Sequence, residues 1–157
     1  MPSKAILAKA IAIKGNPSGY CGITRCGTGL TNTTDCAALL ELKAAAPCLA
    51  KVAPKDLCGW VPKYESQEID CSGGRVTYIA VKNCSITSLP TSIGDLTALT
   101  GLELSDNGLT SLPASLSKLT RLRTLHLDNN KLAACPSKAI LGRAFSGRSY
   151  GKITGNP

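Results

Sequence analysis

The same apolar positions recur 23 residues apart in the second half of this 157-residue chain. The recurring pairs are Leu89 and Leu112, Leu96 and Leu119, Leu99 and Leu122, Leu102 and Leu125, Leu104 and Leu127, and Leu109 and Leu132. One period upstream the same positions hold Val76, Ile79, Val81, Cys84 and Ile86. A fixed period of about 20–50 residues is typical of solenoids, in which each repeat buries its apolar side only by stacking on its neighbours. The sequence therefore predicts three stacked repeats.

A short alternating segment within each period predicts a β-strand. In such a strand Leu102 and Leu104 point to the interior, so each repeat adds one strand to a parallel sheet. Asn107 and Asn130 follow two of these strands. There the side-chain amide can satisfy backbone groups that would each cost about 1–3 kcal/mol if buried unpaired. We expect the leucines to be core residues and the asparagines to hold the turns.

The spacing Leu99-x-x-Leu102-x-Leu104-x-x-Asn107-x-Leu109, repeated 23 residues later, resembles the leucine-rich-repeat signature. The resemblance implies an α/β repeat solenoid, a short right-handed coil with a parallel β-sheet. In such a coil the side chains that alternate with the core leucines face outward, and these are the candidate partner-binding residues. They are Tyr78, Ala80, Lys82, Gly101, Glu103, Ser105, Thr124, His126 and Asp128. Glu103 and His126 share one position of adjacent strands, so we expect them about 5 Å apart, as a surface ion pair.

The net charge of +8 lies in the two ends of the chain. Basic residues before residue 30 and after residue 136 have no acidic neighbours, whereas the centre is balanced. We therefore predict a basic flexible tail, a cysteine-bearing N-terminal cap, three repeats and a basic Gly/Ser-containing tail, over residues 1–30, 31–72, 73–135 and 136–157. The balanced centre argues against a specific nucleic-acid partner, while the tails suit weak contacts with anionic surfaces.

The two tails share sequence. Residues 2–7 recur as residues 136–141, and Gly-Asn-Pro at residues 15–17 recurs at residues 155–157. This duplication suggests that residues 1–30 are the C-terminal flank of a preceding, similar unit.

Eight cysteines indicate an oxidising compartment. Cys84 and Cys135 occupy repeat positions, and we expect both to be buried free thiols. The other six precede the repeats and predict a disulfide-stapled flank whose pairing is open: Cys21, Cys26, Cys36, Cys48, Cys58 and Cys71. A bridge between Cys58 and Cys71 is a candidate, because closing a loop of about 14 residues stabilises by about 3 kcal/mol.

No cofactor or metal is implied by the sequence. Zinc is the alternative explanation for the cysteines, with Cys21 and Cys26 as two ligands, but no partner pair has comparable spacing. His126, Asp128 and Glu103 form the only constellation that could perform chemistry, and they lie on an open sheet that excludes no water. We predict that the chain is not an enzyme.

Residues 35–43, Cys58-Gly59-Trp60, Cys71 and residues 74–81 together resemble the plant-type N-terminal cap and first strand of extracellular leucine-rich-repeat proteins. Receptor-kinase ectodomains and polygalacturonase inhibitors share this arrangement. The resemblance implies a short helix that covers the first coil. We expect Asp35 to cap that helix, Pro47 to end it and Trp60 to plug the open end.

An extracellular or cell-surface location is predicted from the cysteines and the cap. Two sequons, at Asn32 and Asn83, are candidate glycosylation sites that agree with secretion. The sequence contains no run of about 20 apolar residues, so no transmembrane segment is predicted. The apolar residues 5–13 are interrupted by Lys9 and make a poor signal peptide.

The predicted function is recognition of a protein or peptide across the strand face, as part of a larger extracellular or cell-surface protein. Two alternatives stay open. One is a structural spacer or wall-associated surface repeat without a dedicated ligand. The other is an intracellular scaffold with free thiols, since the 23-residue repeats with a Leu-Pro step also resemble those of many intracellular proteins.

Overall fold

The computed structural model describes residues 30, 32–52, 57–58, 67–134, 136, 151–152 and 154–156. The expectations on Cys21, Cys26, Trp60 and Cys135, and those on residues 1–29, fall outside these residues.

Among the described residues, the α-helix α1 spans Thr33–Ala45 and covers the first coil. Its N-cap is Asn32, whose Oδ1 accepts hydrogen bonds from the backbone N–H groups of Thr34 and Asp35, each at 3.0 Å. The expectation that Asp35 caps the helix is therefore wrong. The helix ends at Ala45, and Pro47 opens the short 3₁₀ helix Pro47–Leu49, because proline cannot donate the next helical hydrogen bond.

Asp35 instead joins the cap to the sheet. Its carboxylate is fully buried and accepts from Arg75 Nε and from the backbone N–H of Val76, both at 2.9 Å. The hydrogen bond with Asp35 raises the pKa of the Arg75 guanidinium. A buried carboxylate is tolerated here because charge and hydrogen bonding are both satisfied.

The described strands form one sheet in the order β1 to β5. Their bounds are Gln67–Ser72, Arg75–Val81, Gly101–Glu103, Thr124–His126 and Gly151–Lys152. Strands β2 to β5 run parallel, with Ile79, Leu102 and Leu125 in register across β2, β3 and β4. The chain returns between strands through the 3₁₀ helices Thr91–Asp95 and Ala114–Lys118. The predicted solenoid is thus confirmed.

The sheet begins inside the region assigned to the cap. Strand β1 pairs antiparallel with β2 through a two-residue turn at Gly73 and Gly74, which have φ of 57° and 75°. Two consecutive residues with positive φ match the tight hairpin turn whose twist suits paired strands. The Gly-Gly pair flanked by alternating residues is the sequence signal for this hairpin, which the predicted cap did not include.

The core consists of the predicted leucines together with apolar residues of the cap. Leu102, Leu104 and Leu125 are completely buried, and so are Leu39 and Leu42 of α1. The apolar side of the helix therefore closes one end of the solenoid interior.

The asparagine turns are confirmed. Asn107 Oδ1 accepts from the backbone N–H groups of Cys84 and Ile86 at 3.1 and 3.0 Å. The Nδ2 atoms of Asn107 and Asn130 both donate to the carbonyl oxygen of Leu104, at 3.0 and 2.9 Å. Each buried amide thus joins its own coil to the preceding one.

The sheet continues past residue 135, where we expected the repeats to end. Strand β5 pairs with β4, and Asn156 repeats the role of the two earlier asparagines. Its Oδ1 accepts from the backbone N–H of Leu132 at 3.1 Å, and its Nδ2 donates to the carbonyl of Leu127 at 3.0 Å. Asn156 therefore continues the series of asparagine hydrogen bonds begun by Asn107 and Asn130.

Two disulfides have both of their cysteines in the described part of the chain. Cys58 pairs with Cys71, the bridge that the sequence made a candidate, at a Cα–Cα distance of 5.6 Å. Cys84 pairs with Cys48 at 5.3 Å, so the expectation of a free thiol at Cys84 is wrong. In the first repeat, Cys84 occupies the position that Asn107 and Asn130 hold in the next two repeats. Its side chain therefore points inward, toward the Pro47–Leu49 helix. Cys36 is disulfide-bonded as well.

Candidate binding surface

The outward side of the parallel sheet, which we call the strand face, is ordered by the register of β2, β3 and β4. Ala80, Glu103 and His126 lie side by side in one row. Tyr78 lies beside Gly101 in the next row. Because paired residues of neighbouring strands project to the same side, residues that are about one repeat apart in the sequence contact each other on this face.

Glu103 is the centre of a polar cluster on this face. Its Oε1 accepts a 2.6 Å hydrogen bond from the Tyr78 hydroxyl and lies 3.6 Å from His126 Nδ1. Its Oε2 forms an ion pair with Lys82 Nζ. The predicted proximity of Glu103 and His126 is confirmed. We name these four side chains, Tyr78, Lys82, Glu103 and His126, the Glu103 cluster.

The cluster changes the acidity of its members. Partial burial of the Glu103 carboxyl works to raise its pKa, but hydrogen bonds from Lys82 and Tyr78 outweigh burial, and the pKa is lowered overall. The pKa of Tyr78 is raised by burial and by its hydrogen bond to the Glu103 carboxylate. Around neutral pH Glu103 is therefore ionised and Tyr78 is a neutral donor.

Four of the nine predicted outward residues are buried, which corrects the expectation that they all face solvent: Ala80, Gly101, Ser105 and Asp128. Gly101 is covered by the Tyr78 ring, since a Cβ on Gly101 would lie 2.4 Å from Tyr78 Cδ2. Ser105 Oγ donates to Asp128 Oδ2 at 3.3 Å, so these two side chains are engaged within the molecule.

Asp128 also holds the last described turn. Its Oδ1 accepts from the backbone N–H and the hydroxyl of Thr154, at 3.1 and 2.9 Å. Asp128 thus serves the fold. The accessible part of the strand face is narrower than the alternation pattern alone indicated.

Strand β1 adds carboxylates that the sequence analysis did not place on this surface. Glu68 pairs with Ala80, and Asp70 pairs with Tyr78. Both carboxylates contribute to raising the pKa of Tyr78, which agrees with their placement near its hydroxyl. The strand face therefore extends one strand beyond the predicted repeats.

Within the described part of the chain, no group of three or more His, Cys, Asp or Glu side chains is arranged to hold a metal ion. The zinc alternative at Cys21 and Cys26 lies outside those residues. Among the helices described, none is long and apolar enough to cross a membrane.

Residues 74–132 match the family model described as leucine rich repeat. The match spans the parallel strands β2 to β4 and both asparagine turns within the repeats. These residues are therefore similar to leucine-rich repeats, a solenoid fold whose extended surfaces serve as scaffolds for recognition. No curated protein matches the sequence.

One solved structure supports the same fold. The chain is similar to the leucine-rich-repeat ectodomain of the receptor kinase SOBIR1 from Arabidopsis thaliana, with 21% identity and a TM-score of 0.56. That similarity covers 80% of this chain and 68% of the ectodomain. A plant ice-binding protein is 20% identical with a TM-score of 0.41, over 84% of this chain and 49% of that one.

Proposed function

We propose that this chain is a module for recognising a protein or peptide, with the strand face as its binding surface. The Glu103 cluster is the observation that carries the proposal. It presents an aromatic hydroxyl, a lysine, a carboxylate and an imidazole on one rigid sheet. Lys82, Glu103 and His126 are 36%, 12% and 26% exposed, so the cluster is accessible yet ordered.

Order within the cluster favours binding because less side-chain entropy is lost when a partner docks. Immobilising a flexible side chain costs about 0.5–1.5 kcal/mol on association. Glu103 is already held by Tyr78, Lys82 and His126, and the Tyr78 ring rests on Gly101. The remaining residue of the predicted set that is not buried is Thr124 on β4, which is half-buried and pairs with Gly101 of β3.

The size of the surface bears on its affinity. Five strands at about 4.8 Å spacing make a strip about 19 Å wide. A standard interface buries about 800 Å² on each partner. The strand face of this domain alone is therefore suited to weak binding, and the proposal is that it acts within a larger protein.

A triple variant, Tyr78→Ala, Glu103→Ala and His126→Ala, tests the proposal. Wild type and variant are immobilised and exposed to extracellular fractions of the source organism, and captured proteins are identified by mass spectrometry. We expect the triple variant to lose at least tenfold in affinity for a partner captured by wild type. Thr87→Ala with Thr110→Ala is the matched control, because both threonines are exposed and lie outside the described strands. Unchanged affinity in the folded triple variant would move the binding site elsewhere.

We propose an extracellular or cell-surface location, supported by the disulfides and by the receptor-ectodomain fold. A thiol count on the native protein tests it. We expect Cys36, Cys48, Cys58, Cys71 and Cys84 to be unreactive until a reductant is added. Reactive thiols at these positions in protein isolated from its source would favour the intracellular scaffold.

We further propose that residues 1–30 are the C-terminal flank of a preceding unit. The support is the role of Asn156, because Asn156 belongs to a Gly-Asn-Pro triplet that is also present at residues 15–17. The transcript upstream of Met1 decides this. Absence of leucine-rich-repeat coding sequence there would refute the proposal.

The duplicated tails also favour the second candidate function, a structural spacer. In a tandem array of spacers, no ligand constrains which residues occupy the strand face. Neighbouring units with near-identical strand faces would favour a spacer, whereas different residues at the positions of Tyr78, Glu103 and His126 would favour recognition.

A further inference from the structure

The sequon Asn83-Cys84-Ser85 lies directly after β2, at the carboxyl end of the parallel strands. Cys84 is buried and tied to Cys48, whereas Asn83 and Ser85 on either side of it are exposed. Both have positive φ, 49° and 58°, which turns the backbone outward at each side of the buried cysteine. The acceptor asparagine and the hydroxyl of the sequon are thus both presented to solvent.

The backbone of this turn is anchored even though its side chains are free to face solvent. The Asn83 N–H donates to the carbonyl of Ser105 at 3.2 Å, and the Cys84 N–H donates to Asn107 Oδ1 at 3.1 Å. A substituent on the Asn83 side chain therefore leaves the contacts that hold the turn intact.

The other sequon, Asn32-Thr33-Thr34, is in a different setting. Asn32 is half-buried, and its Oδ1 caps α1 through the backbone N–H groups of Thr34 and Asp35. Its own N–H donates to the carbonyl of Gly74 at 3.1 Å. A glycan on Asn32 would have to fit where the helix, the hairpin and the buried Asp35 meet.

We propose that Asn83 carries an N-linked glycan and that Asn32 does not. The inference rests on the proposed extracellular location. The donor is a lipid-diphosphate-linked oligosaccharide. A bond forms between Asn83 Nδ2 and the anomeric carbon of the first sugar. The bond between that carbon and the phosphate oxygen breaks, Nδ2 loses one proton, and the lipid diphosphate leaves.

The glycan would stand at one margin of the strand face. Asn83 is adjacent in sequence to Lys82, which forms an ion pair with Glu103 in the centre of the cluster. N-linked glycans are bulky and hydrophilic. A partner of the strand face would then approach from the side away from the carboxyl ends of the strands.

Mass spectrometry of the full chain tests the assignment. The chain is secreted from a eukaryotic host behind a supplied leader peptide, and glycans are released enzymatically in heavy-oxygen water, which marks each formerly glycosylated asparagine. We expect the mark on Asn83 and none on Asn32. Ser85→Ala should abolish the glycan, and Ser85→Thr, which keeps the hydroxyl, should retain it.

Thr34→Ala is the matched control for the other sequon. It removes that sequon but leaves Asn32 as the helix cap, because the capping hydrogen bond is donated by the backbone N–H of residue 34 and not by its side chain. We expect this variant to have the same glycan mass as wild type. An unmodified Asn83, or a mark on Asn32, would overturn the assignment. Glycan occupancy is measured without any binding partner. The mass result therefore stands apart from the thiol count, even if that count refuted the extracellular location.

Discussion

Asn107 shows how one residue type at a fixed spacing builds this molecule. The spacing alone predicted its role, because a buried turn after a strand leaves backbone groups without partners. The structure adds where the hydrogen bonds go, with the Oδ1 serving Cys84 and Ile86 and the Nδ2 reaching the carbonyl of Val81 at 2.8 Å.

Replacing Asn107 with alanine should destabilise the domain by about 3 kcal/mol or more, since each unpaired buried group costs about 1–3 kcal/mol. Urea unfolding measures the change. Ser88→Ala, at an exposed position, is the control and should stay within about 0.5 kcal/mol of wild type. A loss below about 1 kcal/mol for Asn107→Ala would contradict the assigned role.

Gly101 decides whether the Tyr78 ring can lie on the strand face. In Gly101→Ala the new methyl group would meet the ring, so we expect the ring to shift and its hydrogen bond to Glu103 to break. The raised pKa of Tyr78 should then fall toward the ordinary value of about 10. Ultraviolet titration measures this, with Tyr78→Phe identifying the transition.

Gly108→Ala is the matched glycine control, because a Cβ there meets its nearest atoms at an ordinary 3.5 Å. Its titration curve should overlay that of wild type. An unchanged Tyr78 transition in Gly101→Ala would show that the ring does not depend on the glycine.

At the scale of elements, the cap and the first coil are joined by the Cys48–Cys84 disulfide, which spans 36 residues. The Cys58–Cys71 disulfide spans 13 and lies between the cap and β1. Stabilisation by loop entropy grows with the length of the closed loop, giving about 4 kcal/mol for the longer and about 3 kcal/mol for the shorter.

We therefore expect Cys48→Ala with Cys84→Ala to lose more stability than Cys58→Ala with Cys71→Ala. The difference should exceed the entropic one, because Cys84 is buried and Cys71 only half-buried. Urea unfolding of the two double variants measures the order. The reverse order would mean that the long bridge contributes little to joining cap and repeats.

The hairpin illustrates why elements were harder to predict than residues. Its Gly73-Gly74 turn was visible, but β1 contains the cap cysteine Cys71 and has no 23-residue counterpart. The repeat pattern predicts only elements that recur. A strand that occurs once, paired antiparallel, follows from a different rule.

At the scale of the whole molecule, the Glu103 cluster makes stability depend on pH. The pKa of Glu103 is lower in the folded protein than the unfolded value of about 4.3, so the unfolded chain binds the proton first as pH falls. The stabilisation is therefore present above that value and is lost as pH falls through the folded pKa.

We expect the unfolding free energy of wild type to drop more steeply between about pH 5 and pH 3 than that of Glu103→Gln. Chemical denaturation at several pH values measures the two slopes. The remaining carboxylates are the same in both proteins, so the difference between the two slopes reports on Glu103 alone. Parallel curves would show that the cluster adds no pH-dependent stability.

The 23-residue period was enough to predict the repeat, the direction of the strands, the buried asparagines and the contact between Glu103 and His126. Because the repeats stack with that period, residues one repeat apart in the sequence become neighbours in space. The pairing of Cys84 with Cys48, the place of β1 in the sheet and the Tyr78 ring over Gly101 became known from the folded structure alone. Such contacts depend on how the cap is placed on the coil and on how a side chain rests on its neighbour. Alternation along a strand specifies which side a residue faces and does not specify what covers it.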